Sequence, residues 1–135
     1  MKNNRIQDFS INILTYRTDK KILDDCIKSI NIPGPINIIE NSKKFENDRY
    51  FKKIKKNINI FCTGRNYGYA KGHNYGLSVA KTRYVLICNP DVIFNKNYFR
   101  NMKNYINSDL DFHIIGSQYL KKDMNRPAYG LFKSS

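Results

Sequence analysis

The sequence has no long apolar run, few cysteines and few acidic residues. No stretch approaches the roughly 18 consecutive apolar residues that a membrane-spanning helix needs. Residues 1–5 lack the apolar segment of a secretory signal, so we expect a cytoplasmic protein. Three cysteines, Cys26, Cys62 and Cys88, are too few and too widely spaced for a zinc site or a disulfide framework. Each lies among apolar neighbours, and we predict three reduced core residues.

Acidic residues are outnumbered, with 11 Asp and Glu against 24 Lys and Arg, which gives a formal net charge of +13. An excess of this size indicates an anionic partner or surface. One alternative is therefore a small basic nucleic-acid-binding protein that uses charge and aromatic stacking. The 135 residues, 41% of them hydrophobic, fit one domain. We interpret residues 1–135 as that domain, with a core over about 8–119 and an irregular tail over 120–135.

Short apolar runs alternate with helical patterns along the chain. Residues 10–16 predict a first strand, and the apolar spacing from Asp19 to Ile30 predicts an amphipathic helix that ends before Pro33. The further predicted strands are 36–39, 58–62, 84–88 and a last one around 112–115, and the further helical segments are 43–56, 77–80 and about 95–107. This alternation favours an α/β fold with a mostly parallel sheet and right-handed crossovers.

Polar segments follow the ends of four predicted strands, at residues 15–19, 40–42, 64–74 and 89–91. In open parallel sheets, ligands bind outside the carboxyl ends of the strands. We therefore expect the four segments to converge on one rim and to form a single ligand site.

The third of these segments belongs to a run with glycines at 64, 68, 72 and 76, a spacing of four. Close backbone approach and free N–H groups at a helix start suit phosphate oxygens. The run matches neither the P-loop nor the Gly-x-Gly-x-x-Gly pattern. A turn that merely needs positive φ angles is the structural alternative.

Several single residues have two interpretations each. Asp91, after a buried strand, could ligate a hard divalent cation or form an Asx turn. Glu40 could accept hydrogen bonds from a ribose or a base, or be a surface carboxylate at a strand end. His73 and His113 have no companion at metal-ligand spacing, and we interpret both as non-catalytic. In the basic stretch 43–56 we expect the aromatic side chains to pack in the core. The alternative is that the stretch forms a surface that binds nucleic acid or anionic lipid.

Taken together, the segments resemble the nucleotide-binding half of family 2 glycosyltransferases with the GT-A fold, particularly the rhamnosyltransferase-like branch. The resemblance runs from about Ser10 to Gly116. It rests on Ile-Leu-Thr-Tyr-Arg ending at Arg17, on Ile38-Ile39-Glu40-Asn41-Ser42, on Asn66-x-Gly68-x-Ala70-x-Gly72-x-Asn74-x-Gly76 and on Tyr84-Val-Leu-Ile-Cys-Asn89-Pro90-Asp91.

The resemblance implies a site for a nucleotide-activated sugar, such as a dTDP- or UDP-sugar, and inverting transfer of a hexosyl or rhamnosyl group in polysaccharide biosynthesis. Asp91 would hold Mg²⁺ or Mn²⁺ against the diphosphate, where a cation stabilises the charge of the leaving group. The implied nucleotide-sugar contacts are Thr15, Tyr16, Arg17, Glu40, Asn66, Gly68, Gly72, Asn74, Asn89 and Asp91. The implied partners are the nucleotide sugar, a glycan or lipid-linked acceptor, and the anionic inner face of the cell membrane as a peripheral attachment site; nucleic acid is a partner only in the alternative.

The chain also departs from the family pattern. Arg17 stands where the family usually has Asn, Glu40 where it usually has Asp, and Asn89 replaces the first carboxylate of Asp-x-Asp. Family members normally continue into an acceptor-binding half that supplies the general base, and residues 121–135 contain no recognisable candidate for it. We therefore expect a domain truncated before that half, with no catalytic residue identified. A degenerate, non-catalytic interaction module is the second alternative.

Overall fold

A computed structural model of the chain describes residues 9–109 and 111–116. In this part of the chain, four strands alternate with four helices. The strands are β1 (Phe9–Thr15), β2 (Ile36–Glu40), β3 (Ile58–Cys62) and β4 (Tyr84–Cys88), and the helices are α1 (Lys20–Ser29), α2 (Asp48–Ile54), α3 (Tyr69–Val79) and α4 (Tyr98–Ile106). All strand pairs are parallel, in the order β3-β2-β1-β4. The predicted α/β fold with a parallel sheet is confirmed.

One face of the sheet carries the main apolar core. Ile11, Ile13, Ile36 and Ile38 are fully buried there, and burying an aliphatic side chain of this size contributes about 1.5–3 kcal/mol. Helices α1, α2 and α4 cover this face with buried side chains that include Leu23, Cys26, Ile27, Phe51, Phe99 and Ile106. These three helices and the apolar side chains on this face of the strands support the loops at the carboxyl edge of the sheet.

Helix α3 covers the opposite face and lies very close to the sheet. A Cβ on Gly72 would lie 2.6 Å from Leu14 Cδ1, and a Cβ on Gly76 would lie 3.0 Å from Ile39 Cγ1. Residues four apart share one side of a helix, so both glycines face the strands. Part of the four-residue glycine spacing is therefore explained by helix-sheet packing.

Three asparagines form a ladder across β1, β2 and β3 on the face that α3 covers. Asn12, Asn37 and Asn59 are neighbours in register. Asn37 Nδ2 donates to Asn12 Oδ1 at 2.8 Å, and Asn59 Nδ2 donates to Asn37 Oδ1 at 3.1 Å. The two bonds link the three side chains beneath the helix, while Asn12 Nδ2, at the end of the ladder, has no hydrogen-bond partner among the described residues.

Two expectations about secondary structure are wrong. Helix α3 begins at Tyr69, inside the run predicted as a loop, because its glycines pack on the sheet instead of breaking the helix. Residues 111–116 form no strand at the position of the one expected around 112–115. The Phe112 ring instead stacks on Tyr84 with centroids 5.6 Å apart, so side-chain packing on β4 replaces backbone pairing. The predicted tail, 120–135, lies outside the described residues.

The cysteines and the basic stretch give a mixed outcome. All three cysteines are free thiols, but only Cys26 and Cys88 are buried. Cys62 is exposed because it ends β3, which is an edge strand. Phe45 and Phe51 are buried, which confirms that the aromatic residues of the stretch 43–56 belong to the core. No helix in the part of the chain that the structure describes is long and apolar enough to cross a membrane.

The close contact of α3 predicts that Gly72→Ala is destabilising. The added Cβ meets both methyl groups of Leu14, at 2.6 and 3.0 Å, so a rotation of that side chain alone does not relieve the clash. We expect the free energy of unfolding to fall by about 1–3 kcal/mol, measured by urea denaturation. Asn74→Ala, on the exposed side of the same helix, should change it by less than about 0.5 kcal/mol. Equal stabilities for the two variants would contradict this packing.

Candidate functional site

The four polar segments meet at the carboxyl edge of the sheet, which confirms their predicted convergence. Two adjoining depressions lie there. The central cleft, of about 510 Å³, is lined by residues that include Thr15, Tyr16, Asn41, Asn66, Gly68, Asn89 and Asp91. The lateral cleft, of about 780 Å³, is lined by residues that include Tyr16, Arg17, Glu40, Lys43, Lys44, Glu46, Arg65 and Asn66. Tyr16, Thr18 and Asn66 line both clefts and mark their junction.

Glu40 is a buried carboxylate at the end of β2, with only 1% of its surface exposed. Its Oε2 accepts a hydrogen bond from Thr15 Oγ1 at 2.6 Å, and its Oε1 accepts one from Ser42 Oγ at 2.6 Å. The backbone N–H of Arg17 also donates to Oε1, at 3.1 Å. Such bonds compensate the cost of burying the charge. The interpretation of Glu40 as a surface carboxylate is therefore wrong, because three donors from its own and a neighbouring segment enclose it.

Arg17 has a left-handed backbone, with φ of +50°. This conformation costs a residue with a side chain about 1–2 kcal/mol, and the hydrogen bond from its N–H to Glu40 helps to hold it. The guanidinium lies over the Tyr16 ring, 5.5 Å from the centroid. Strained backbone of this kind concentrates at functional sites, and here it directs an arginine to the lateral cleft.

Asn41, the residue after β2, fixes the loop between β3 and α3. Its Oδ1 accepts from Thr63 Oγ1 at 3.0 Å and from the backbone N–H of Tyr67 at 3.1 Å. Its Nδ2 donates to Asn66 Oδ1 at 3.1 Å and to the carbonyl oxygen of Gly68 at 3.0 Å. These four bonds use the full capacity of the amide. Sequence reasoning did not list Asn41 as a site residue, although its place in the polar triplet that ends a buried strand was the available signal.

The start of α3 opens onto the central cleft. Asn66 Oδ1 accepts from the backbone N–H of Gly68 at 2.8 Å, which turns the chain into the helix. Gly64 and Gly68 have φ of +92° and +80°, a region that favours glycine. Gly68 and Tyr69 both line the cleft, so the positive end of the helix dipole faces it. The turn interpretation is thus confirmed for these two glycines, and it is compatible with ligand contact.

Eight of the ten residues predicted from the resemblance line one of the two clefts. Gly72 and Asn74 do not. Because α3 already begins at Tyr69, both lie a turn or more along the helix from the rim. Gly72 is buried against Leu14 and Asn41, so it positions the site from below.

Asp91 is the acidic residue of the central cleft. With the amide oxygen of Asn89 it offers hard oxygen donors of the kind that Mg²⁺ prefers. Within residues 9–109 and 111–116, no group of three His, Cys, Asp or Glu side chains is arranged to hold a metal ion. A cation here would therefore need phosphate and water oxygens to complete its shell, an ordinary arrangement for Mg²⁺.

Two buried thiols support the loop that carries Asp91. Cys88 Sγ lies 3.0 Å and Cys26 Sγ 3.9 Å from the same atom, the carbonyl oxygen of Asn89. The hydrogen bond with Cys26 and burial raise the pKa of the Cys88 thiol far above its usual range. Cys88 therefore stays protonated and can donate to the loop carbonyl.

His73 is a buried imidazole on α3, behind the central cleft. Its ring lies edge-on to Tyr69, with centroids 4.4 Å apart. Neither ring nitrogen has a hydrogen-bond partner among the residues that the structure describes. Burial lowers the pKa of His73 from its ordinary value of 6.5. The ring is therefore neutral at pH 7.

Comparison with known proteins relates this arrangement to one family. The family model described as Glycosyl transferase family 2 matches residues 10–131. Residues 1–349 of TarS from S. aureus align with a TM-score of 0.63 and 18% identity, over 73% of this chain and 32% of that chain. A longer structure of TarS gives 0.62 and 18%, over 73% of this chain and 19% of that chain. No curated protein matches significantly.

These likenesses show the fold, which matches the GT-A fold. The chain spans about a third or less of the TarS chains that it matches.

The enclosure of Glu40 predicts that its charge stabilises the fold. Glu40→Gln keeps one carbonyl oxygen as an acceptor but replaces the other oxygen with an amide N–H₂, which then faces a group that donates to Glu40 in the parent chain. We expect the free energy of unfolding to fall by about 1–3 kcal/mol. Glu46→Gln is the matched control, because Glu46 lines the same cleft and forms only an exposed ion pair with Lys44. If thermal and urea unfolding do not separate the two variants, Glu40 does not have the structural role assigned here.

Burial of His73 predicts a pH-dependent stability. The unfolded chain binds a proton near pH 6.5, whereas the folded chain binds it only at lower pH because the pKa of His73 is lowered. Stability from this group is thus complete above pH 6.5 and is lost as the pH falls toward the lowered folded pKa. Between pH 7 and 5, His73→Leu should lose less stability than the parent chain.

His113→Leu is the control for this effect, because His113 is exposed. Its profile of unfolding free energy against pH should follow that of the parent chain. A parent-like profile for His73→Leu would contradict the buried neutral imidazole.

Proposed function

Because the chain belongs to glycosyl transferase family 2, we propose that its rim binds a nucleotide-activated sugar, a dTDP- or UDP-sugar, as a glycosyl donor. The observation that carries the proposal is the convergence of four loops, with the Asp91 carboxylate, on a cleft at the carboxyl edge of the sheet. Ligands of parallel α/β sheets bind at this edge. The lateral cleft adjoins it, so an elongated ligand has room on both sides of the junction.

We place the nucleoside in the lateral cleft and the sugar in the central cleft. Tyr16 and Asn66 line both, so the diphosphate that links the two moieties would pass between them. Tyr16 is about half exposed and offers a ring for contact with the base or the ribose. The first turn of α3, which begins at Tyr69, faces the sugar-phosphate side with the positive end of the helix dipole.

The donor set at Asp91 fits a divalent cation, Mg²⁺ or Mn²⁺. Asp91 and Asn89 would hold it, since both line the central cleft. When bound, such a cation neutralises charge on the leaving diphosphate. The two thiols beneath Asn89 lie against its carbonyl oxygen and support the loop.

The reaction proposed for the complete enzyme is a single displacement with inversion. A hydroxyl of a glycan or lipid-linked acceptor attacks the anomeric carbon, and the bond from that carbon to the diphosphate oxygen breaks. We propose that the base that takes the hydroxyl proton lies outside residues 9–116, because Asp91 is the one carboxylate that lines the central cleft in the described chain. The transferred group is a hexosyl group, with rhamnosyl the specific candidate.

The net charge of the chain supports a proposal about where in the cell the domain contacts its acceptor. A net charge of +13 favours contact with an anionic surface. We propose that the domain works in the cytoplasm and attaches peripherally to the inner face of the cell membrane, where lipid-linked acceptors would be available.

Calorimetric titration with UDP and with dTDP, with and without Mn²⁺, tests the donor site. We expect Mn²⁺ to tighten nucleotide binding by at least about tenfold, since a charge-assisted contact contributes about 1.5–3 kcal/mol. Asp91→Ala should remove this gain. Asp109→Ala deletes an exposed carboxylate away from the rim and should keep it. Absence of binding to either nucleotide, from a folded sample with Mn²⁺ present, would refute the proposed function.

A further inference from the structure

The lateral cleft has an unusual balance of charges. Four cations line it, Arg17, Lys43, Lys44 and Arg65, together with two carboxylates. Glu40 is one of these, and its oxygens are already engaged by three donors from the protein. The second, Glu46, pairs with Lys44 at 3.1 Å in an exposed contact of little strength.

Within residues 9–109 and 111–116, the two arginines of the cleft have no carboxylate partner. Each described ion pair of the chain uses a lysine, and neither Arg17 nor Arg65 takes part in one. A guanidinium presents five donors in a planar fork that matches phosphate oxygens. The cleft therefore contains two guanidinium groups whose positive charge is not neutralised by any carboxylate in the part of the chain that the structure describes.

Both arginines are held in place by similar means on opposite segments of the rim. Arg17 has a strained backbone bonded to Glu40, and its guanidinium lies over the Tyr16 ring. Arg65 follows Gly64, which has positive φ, and its guanidinium lies 4.6 Å from the centroid of the Tyr67 ring. Stacking of this kind reduces the freedom that an arginine loses when it binds a ligand.

Both arginines line the lateral cleft, and each is adjacent in sequence to a residue at the junction with the central cleft. Arg17 directly follows Tyr16 and Arg65 directly precedes Asn66, and both Tyr16 and Asn66 line both clefts. A diphosphate that links a nucleoside to a sugar would cross this junction. Its oxygens would then lie within the cleft that both guanidinium groups line.

We propose that Arg17 and Arg65 form an anion subsite that binds the phosphates of the nucleotide directly, without a divalent cation. The assignment of the phosphates to a nucleotide rests on the proposed function. The subsite itself rests on the unpaired guanidinium groups and their placement. It gives the domain a measurable affinity for diphosphate even when a chelator removes every metal ion.

The test uses calorimetry with inorganic pyrophosphate, UDP and uridine, all in EDTA and at low salt. Folded parent chain should bind pyrophosphate and UDP, and should bind uridine much more weakly. Arg17→Ala and Arg65→Ala should each weaken pyrophosphate and UDP binding by at least about tenfold, as expected for loss of a hydrogen-bonded charge. Arg17→Lys, which keeps the charge but loses the fork, should fall between Arg17→Ala and the parent chain.

Arg100→Ala is the matched control, because it removes one exposed positive charge on α4, away from both clefts. Its affinities should equal those of the parent chain, and circular dichroism should show all variants folded. If the folded parent chain binds neither pyrophosphate nor UDP in EDTA, the subsite is wrong. The subsite is also wrong if the cleft variants bind as tightly as Arg100→Ala.

Two further outcomes separate the subsite from the proposed function. Binding of UDP that needs Mn²⁺ and Asp91 but not the arginines would keep the donor site and overturn the anion subsite. Binding of pyrophosphate that depends on the arginines, with no nucleotide bound more tightly than pyrophosphate, would support the anion subsite and overturn the nucleotide assignment. If a single-stranded oligonucleotide binds far more tightly than UDP through the same arginines, the anion subsite binds the phosphates of nucleic acid, and the nucleotide assignment is overturned.

Discussion

The geometry of the rim depends on one constraint, which is that the polar side chains of Glu40 and Asn41 are buried. A buried carboxylate or amide without partners costs several kcal/mol, and each of these two draws its partners from segments distant in sequence. Glu40 engages the end of β1 and the loop after it, through Thr15 and Arg17. Asn41 engages the loop before α3. Two adjacent residues therefore fix the loops on both sides of the junction between the clefts.

The geometry of the rim also depends on the close approach of α3 to the sheet. Gly72 and Gly76 remove the side chains that would hold the helix away from Leu14 and Ile39. Asn41 lies beneath this contact, since a Cβ on Gly72 would come within 3.1 Å of its Nδ2. Packing and hydrogen bonding therefore act at the same place, and a helix set further out could not keep its first turn bonded to Asn41.

The sequence predicts the sheet well because its strands are short runs rich in apolar residues, and this holds even for the partly buried edge strand at 84–88. The start of α3 was not predictable in the same way. Glycine lowers helix propensity by up to about 1 kcal/mol per residue, and its benefit appears only when the facing strand is known. Glu40 presents the same difficulty. The sequence around a carboxylate at a strand end does not show whether that carboxylate is exposed to solvent or hydrogen-bonded to hydroxyl groups. Thr15 and Ser42 donate the hydroxyl hydrogen bonds that bury Glu40. Nothing in the sequence indicates that these two residues contact Glu40.

Basic side chains are concentrated in the lateral cleft at the rim. Acidic residues of α1 and α2, among them Asp24, Asp25 and Asp48, are paired with lysines, whereas neither Arg17 nor Arg65 forms an ion pair with another described residue. Like charges confined to one cleft repel each other, more strongly there than in bulk water because the walls lower the effective dielectric constant. A bound anion would relieve this repulsion and gain the attraction of both groups. The strained backbone of Arg17 serves that role, because the hydrogen bond from its N–H to Glu40 holds the residue at a cleft that three other cations line.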